Sequence, residues 1–331
     1  MFDRETLHNV AGMVLRNSLF KSWARKRNRD IVYDPRLNII ISDMMFSNPL
    51  CIAAGFDKNG TMIDGLSSIG FGCVEVGTIT YRQRDGAPRP RIIMKNDILF
   101  NRVELPSDGI LRVAPRLNMR TGNCIIGVNI WGHDPHIIDI ADHLIGKLGF
   151  DYVTINMSCP IVDGERFDSN IQDERIRVAI RNFTEINYPV FVKLGYHDRA
   201  GDLGKKVDWA INAGFTGFVV INTISTRLSE KIGGDYDCEM SGRPIYDHGV
   251  AMVKDIYRIT EGRMPIIGVG GVRTAGNFLK YIRNGASAVQ ALTGFVTSGP
   301  SWPGNILRET RRRMDKSGIT FLKELIGVDV K

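Results

Sequence analysis

Eight short runs along the chain are apolar from end to end, at residues 50–54, 73–76, 124–129, 152–156, 190–193, 217–222, 265–268 and 288–292. None alternates between apolar and polar positions, so each reads as a parallel strand buried on both faces. Segments of helical period lie between most of them. One motif recurs just ahead of a strand, as Ile69-Gly70-Phe71-Gly72, Leu148-Gly149-Phe150-Asp151, Ala213-Gly214-Phe215-Thr216 and Asn284-Gly285-Ala286-Ser287. Its first glycine suits the left-handed residue that closes a helix before the next strand begins. Four copies in register with the strand rhythm indicate βα repetition. The predicted fold is therefore an α/β (β/α)8 TIM barrel over residues 37–331, with an open doubly wound sheet as the structural alternative.

Residues 1–36 precede the first run and predict a short helical extension, with Leu7, Val10 and Val14 at helical spacing. Further on, Leu19, Phe20 and Trp23 alternate with Lys21, Arg25, Lys26, Arg27 and Arg29. That mixture suits a helix on an anionic membrane surface through residues 1–30, and equally a helix packed on the barrel with its basic face in water. Two long connections, 81–113 and 228–245, are expected to pass over the barrel mouth, one of them as a lid.

Charge and composition narrow the class only a little. The 331 residues carry a formal net charge of +7, which suits an anionic ligand, a nucleic acid or plain solvation. No apolar stretch approaches the roughly 20 residues that a membrane span needs. The five cysteines lack CxxC spacing, which favours a reducing compartment over a disulfide framework and places the protein in the cytoplasm.

In a barrel of this kind the chemistry sits just beyond the strand ends. Those ends carry Gly55 and Lys58, Thr78, Asn129, Asn156 and Cys159, Lys193, Asn222 and Thr223, Gly270 and Gly271, and Thr293 and Gly294. The last two loops, 268–271 and 293–294, suit a phosphate cup, because glycine lets backbone N–H groups approach phosphate oxygens. The dinucleotide fingerprint fails, since its sixth position is Arg273. A phosphate-bearing cofactor of the size and charge of FMN is the better reading. Lys193 is placed to stabilise negative charge on a reduced flavin ring. Redox chemistry at a carbon–carbon bond then needs a base opposite the flavin, and Cys159 is the one thiol in a loop after a strand; Pro160 forces the chain to turn there. His133 and His136 flank Asp134-Pro135 without a third ligand at characteristic spacing, and neither HExxH nor GxSxG occurs, so no metal site is expected.

Residues 48–60 (NPLCIAAGFDKNG), 74–80 (VEVGTIT), 89–92 (RPRI), 127–129 (GVN), 156–160 (NMSCP), 192–193 (VK), 222–223 (NT), 241–244 (SGRP) and 267–271 (IGVGG) together resemble the dihydroorotate dehydrogenases, in particular the class 2, quinone-linked branch. The helical segment resembles the membrane and quinone-access extension of that branch. The resemblance implies an FMN enzyme in which a base removes a proton beside a carbonyl while hydride passes to the flavin, with a quinone or another acceptor taking the electrons in pyrimidine biosynthesis. It implies that Ala54, Gly55, Thr78, Asn129, Asn156, Lys193, Ser241, Gly242, Gly270, Gly271, Thr293 and Gly294 hold FMN. It implies further that Lys58, Asn156, Asn222 and Thr223 face the small-molecule substrate, with Cys159 as base.

The departures are specific. Class 2 members usually carry serine where Cys159 stands. Ile161 replaces the asparagine that usually follows the Ser/Cys-Pro pair, Ser107 stands where a pyrimidine-binding asparagine is expected, and Leu292 replaces a usual tyrosine. Lost amides change which substrate a hydrogen-bonding site accepts. The leading expectation is thus a paralogue with Ser107 and Ile161 in an altered substrate site and a ligand other than orotate, with dihydroorotate oxidation itself as the alternative. A flavin-dependent RNA dihydrouridine synthase is a further alternative. The FDKNG and VEVGTIT stretches point away from it, and nucleic acid is not the expected partner.

Overall fold

The computed structural model describes residues 4–118, 124–146, 149–158, 174–196, 200–230 and 234–330. Two helices open the described chain, α1 (Arg4–Arg16) and α2 (Ser18–Val32). The Asn17 carboxamide oxygen accepts from the backbone N–H of Phe20 and caps α2. An antiparallel hairpin follows, β1 (Ile39–Ile41) and β2 (Met44–Phe46), packed near the barrel.

The barrel begins with β3 (Leu50–Ile52), α3 (Ile63–Ser68) and β4 (Cys73–Ile79). Two antiparallel strands intervene, β5 (Ile92–Lys95) and β6 (Ile98–Asn101), before α4 (Ile110–Leu117), β7 (Ile125–Trp131), α5 (Ile137–Ile145) and β8 (Tyr152–Asn156). Then come α6 (Glu174–Thr184), β9 (Val190–Leu194), α7 (Ala200–Ala213) and β10 (Gly217–Val220). A second excursion, β11 (Ile224–Glu230) and β12 (Gly234–Gly242), precedes α8 (Tyr246–Ile259), β13 (Ile266–Val269), α9 (Ala275–Arg283) and β14 (Ala288–Ala291). Two helices close the fold, α10 (Thr293–Ser298) and α11 (Trp302–Lys316).

Eight strands close into one barrel in the order β10-β13-β14-β3-β4-β7-β8-β9, with parallel pairing throughout. Each predicted run holds one of them. β9 is buried along its whole length, Lys193 included, because interior and helix-facing side chains are both shielded. The outer helices show the complementary period. In α5 the buried residues are Ile137, Ile140, Ala141 and Leu144, and in α6 they are Ile176, Ala179, Ile180 and Phe183. Both sets follow i, i+3, i+4, i+7, one stripe facing the sheet. Burying each large aliphatic residue on such a stripe stabilises the fold by about 1.5–3 kcal/mol.

Three of the four repeated glycines behave as the motif predicts, since Gly70, Gly214 and Gly285 adopt positive φ. Gly149 is different. A Cβ there would lie 2.3 Å from the Leu117 carbonyl carbon, so it serves close backbone approach rather than a left-handed turn.

The two long connections are more ordered than their sequences suggested. They pair as one antiparallel four-stranded sheet, β11-β12-β6-β5. Cys238 therefore lies buried in a strand.

Candidate active site

A cavity of about 1040 Å³ runs from the C-terminal ends of the barrel strands, past the four-stranded sheet, to α1. Its floor and walls bring together most of the strand-end residues. Ala54, Gly55 and Lys58 enter from the loop after β3, Thr78 from β4, Asn156 from β8 and Lys193 from β9. Asn222 and Thr223 follow β10, and Ser241 and Gly242 end β12. Gly270, Gly271, Thr293 and Gly294 complete the rim. Cys159 and Ile161 lie outside the described residues.

Three rim loops meet on their glycines. A Cβ on Gly294 would sit 2.0 Å from the Val272 carbonyl oxygen, and one on Gly271 would sit 2.5 Å from Cβ of Tyr246. Glycine alone lets these loops close on each other. The Ser241 and Thr293 hydroxyls lie 2.9 Å apart at the same place. Two hydroxyls and glycine-rich backbone at one end, with a long cavity leading away, fit a phosphate-ended mononucleotide such as FMN. Lys193, 5% exposed, lies beside Asn156 in strand register along the barrel interior.

Asn129 occupies a lower layer than the cavity lining. It is fully buried, its Nδ2 donates to Glu75 Oε1 at 2.8 Å, and its Oδ1 accepts from the Thr78 hydroxyl at 2.7 Å. It supports the floor through Thr78. Glu75 is itself fully buried and also accepts from Tyr152, Thr154 and Gln290.

Asn156 and Asn222 brace the turn that leads to Cys159. Asn156 Oδ1 accepts from the backbone N–H of Ser158 at 3.1 Å and from its hydroxyl at 3.0 Å. From the other side, Asn222 Nδ2 donates to the Ser158 carbonyl at 2.9 Å. These amides line the cavity while fixing the backbone just before the thiol. Ser107, in contrast, aims its hydroxyl at backbone: it accepts from the N–H groups of Gly109 at 3.2 Å and Thr80 at 3.4 Å.

At the α1 end the groups are ionic and buried. Glu5 accepts from Arg91 Nη2 at 2.8 Å and from Arg89 Nε at 3.1 Å, which fastens α1 to the segment entering β5. Lys58 donates to the Gly55 carbonyl at 2.7 Å, and burial pulls its ammonium below the ordinary lysine range. His8 packs edge-on against Phe56, and burial followed by the nearby Lys58 charge lowers its pKa to about 4. The ring is neutral at pH 7. The four described cysteines are buried, and burial pushes the Cys73 thiol well up, which leaves it inert.

Two cavity residues escaped the strand-end reading, Asn101 and Glu239, which oppose each other on β6 and β12. Both belong to excursions read as loops. Period-2 alternation of Ile224, Thr226 and Leu228, and of Tyr236, Cys238 and Met240, was the signal that marks those segments as strands.

The family model for dihydroorotate dehydrogenase matches residues 36–314. A quinone-type dihydroorotate dehydrogenase of Roseiflexus sp. strain RS-1 is 33% identical over 318 residues, covering 90% of this chain and 86% of the relative. That of Parvibaculum lavamentivorans is 33% identical over 340 residues, covering 100% and 96%. Among solved structures, DHODH from Eimeria tenella in complex with ferulenol superposes with a TM-score of 0.85 at 28% identity, over 99% of this chain and 96% of that one. The fold, the glycine-closed rim and these matches together make the chain a member of the dihydroorotate dehydrogenase family, an oxidoreductase acting on a CH–CH bond.

Proposed function

We propose that this protein oxidises dihydroorotate to orotate in pyrimidine biosynthesis, with FMN as its cofactor and a quinone as the final acceptor. The observation that carries the reading is the single cavity that runs from the braced Asn156–Asn222 turn, past Lys58, to the α1 helix. One volume thus reaches from the residues suited to a pyrimidine acid to the helices suited to a lipid-soluble acceptor. FMN, when bound, supplies the hydride acceptor. The chain's own share is positional and protonic. Lys58 provides a cation for an anionic substrate, Lys193 a cation along the barrel interior, and the Asn156 and Asn222 amides hold Ser158, the residue before Cys159, which is the assigned base. Relatives named for this activity across the chain's full length support it over the paralogue reading. Ile161 and the backbone-directed hydroxyl of Ser107 favour the paralogue as a second reading.

Anaerobic titration of the purified, FMN-loaded protein with dihydroorotate separates the two. Bleaching of the flavin at stoichiometric substrate is the expected result. An unbleached flavin that another carbonyl compound reduces would return the assignment to the paralogue.

The helical extension is the proposed membrane contact. Val10, Met13, Leu19 and Trp23 are exposed, Leu19 by 80%, among the basic residues Arg16, Arg25, Lys26, Arg27 and Arg29. Among the described residues no helix is long and apolar enough to cross a membrane. An amphipathic basic helix pair suits binding in the plane of an anionic surface. Deleting residues 1–30 is expected to abolish co-sedimentation with anionic liposomes, and binding that survives the deletion would move the contact elsewhere.

A further inference from the structure

Glu239 has no part in the mechanism above, yet it is the carboxyl group of β12 that borders the cavity. Its strand register sets it opposite Asn101 on β6 and opposite Ser225 on β11. It is 5% exposed. One oxygen, Oε1, accepts from the Ser225 hydroxyl at 2.8 Å. The other, Oε2, is enclosed and has no hydrogen-bond partner among the described residues. Asn101, Thr223 and Ser241 line the cavity around it.

We propose that Glu239 is a substrate-recognition residue whose free carboxyl oxygen accepts a hydrogen bond from an N–H or O–H group of the ligand. The proposal rests on reading the cavity as the substrate site. A buried carboxyl oxygen without a donor destabilises the fold, and a donor carried into the cavity by the ligand relieves that cost only in the complex. Burial holds this carboxyl above the usual range, against the opposing Ser225 and Thr223 hydroxyls, of which only Ser225 lies at hydrogen-bond geometry, on Oε1. The ligand class follows. The cavity presents Lys58 for an anionic group, while Glu239 repels a second anion on its own side and welcomes a donor there. A cyclic amide or imide acid, with a carboxylate at one edge and ring N–H at another, meets both demands.

The test uses the FMN-loaded protein and follows flavin absorbance. Wild type, Glu239→Ala and Glu239→Gln are titrated with orotate and with its 1-methyl and 3-methyl derivatives, which lack one ring donor each. Wild type is expected to prefer orotate over one derivative by about tenfold or more, the range for a hydrogen bond to a charged group. In Glu239→Ala that preference should shrink to about twofold or less, with bound FMN unchanged. Glu239→Gln, which keeps an acceptor oxygen, should retain part of it. It also serves as the readable variant if the alanine protein fails to fold. Undiminished preference in the variants overturns the proposal.

If wild type does not respond to orotate at all, the dihydroorotate reading has failed on its own. The same comparison then runs with cyclic imides and hydroxy acids against their N- or O-methyl forms. A set in which no donor-bearing ligand depends on Glu239 overturns the proposal as well.

Discussion

Replacing Cys159 by alanine should leave a yellow protein with its full complement of FMN, but slow anaerobic flavin reduction by dihydroorotate about a hundredfold or more. That magnitude is the usual contribution of a positioned general base. The argument begins with the backbone around the thiol. Ser158, its chain neighbour, is gripped on both faces: Asn156 Oδ1 takes its N–H and hydroxyl, and Asn222 Nδ2 reaches its carbonyl. Met157 N–H donates to the Lys193 carbonyl at 3.2 Å, which ties the same turn to the neighbouring strand. Chain entering Cys159 is therefore held by β8, β9 and the loop after β10 together. Such bracing supplies orientation in advance of the reaction. Cys159→Ser gives the finer readout. A thiol ionises near pH 8.5 when unperturbed, far below a hydroxyl, so the serine variant should need higher pH for the same rate. Stopped-flow reduction across pH 6–9.5 measures both effects. A Cys159→Ala rate within a few-fold of wild type would remove the thiol from the mechanism and leave the paired amides as braces of a turn without a base.

The barrel was legible because its signal is redundant. Each strand is a buried apolar run, and Gly70, Gly214 and Gly285 mark three of the entries with a conformation that other residues adopt at a cost. The rim was legible for a related reason, since Gly271 and Gly294 stand where no Cβ fits. What stayed hidden was the sheet over the mouth. Its strands mix polar and apolar residues, because one face looks into a wet cavity, and residues 81–113 contain enough Arg and Pro to read as loop. With that sheet went Asn101 and Glu239, two side chains whose importance depends on pairing between segments more than a hundred positions apart. Asn129 shows the opposite limit. A strand-end asparagine reads as a ligand contact, and the folded chain adds a second bond that its sequence did not announce, from its amide to the Glu75 carboxylate below it. Sequence position set the height of Asn129 in the barrel, but only the packed interior shows which neighbour holds it.

Glu75→Leu is expected to cost about 3 kcal/mol of stability or more, since several buried donors lose their acceptor at about 1–3 kcal/mol each before relaxation. Glu75 is 0% exposed, and its two oxygens collect four donors. Oε1 takes Asn129 Nδ2 at 2.8 Å; Oε2 takes the Tyr152 hydroxyl at 3.1 Å, the Thr154 hydroxyl at 3.2 Å and Gln290 Nε2 at 2.5 Å. Leucine fills much of the same volume but strands all four donors inside the barrel, each at a desolvation cost of about 1–3 kcal/mol before relaxation. Glutamine is expected to lose less, since it keeps one acceptor, but its NH2 must face at least one of those donors. The damage should also climb toward the cofactor. Freed from Glu75, Asn129 can turn over, and the Thr78 hydroxyl then loses the oxygen it donates to at the cavity floor. Urea unfolding of the holoprotein reads the first effect, and the ratio of FMN to protein after gel filtration reads the second. Stability loss with full flavin occupancy would confine Glu75 to the core. A Glu75→Leu protein as stable as wild type would show that the four donors find other acceptors, and that the carboxylate is not what fixes the interior of this barrel.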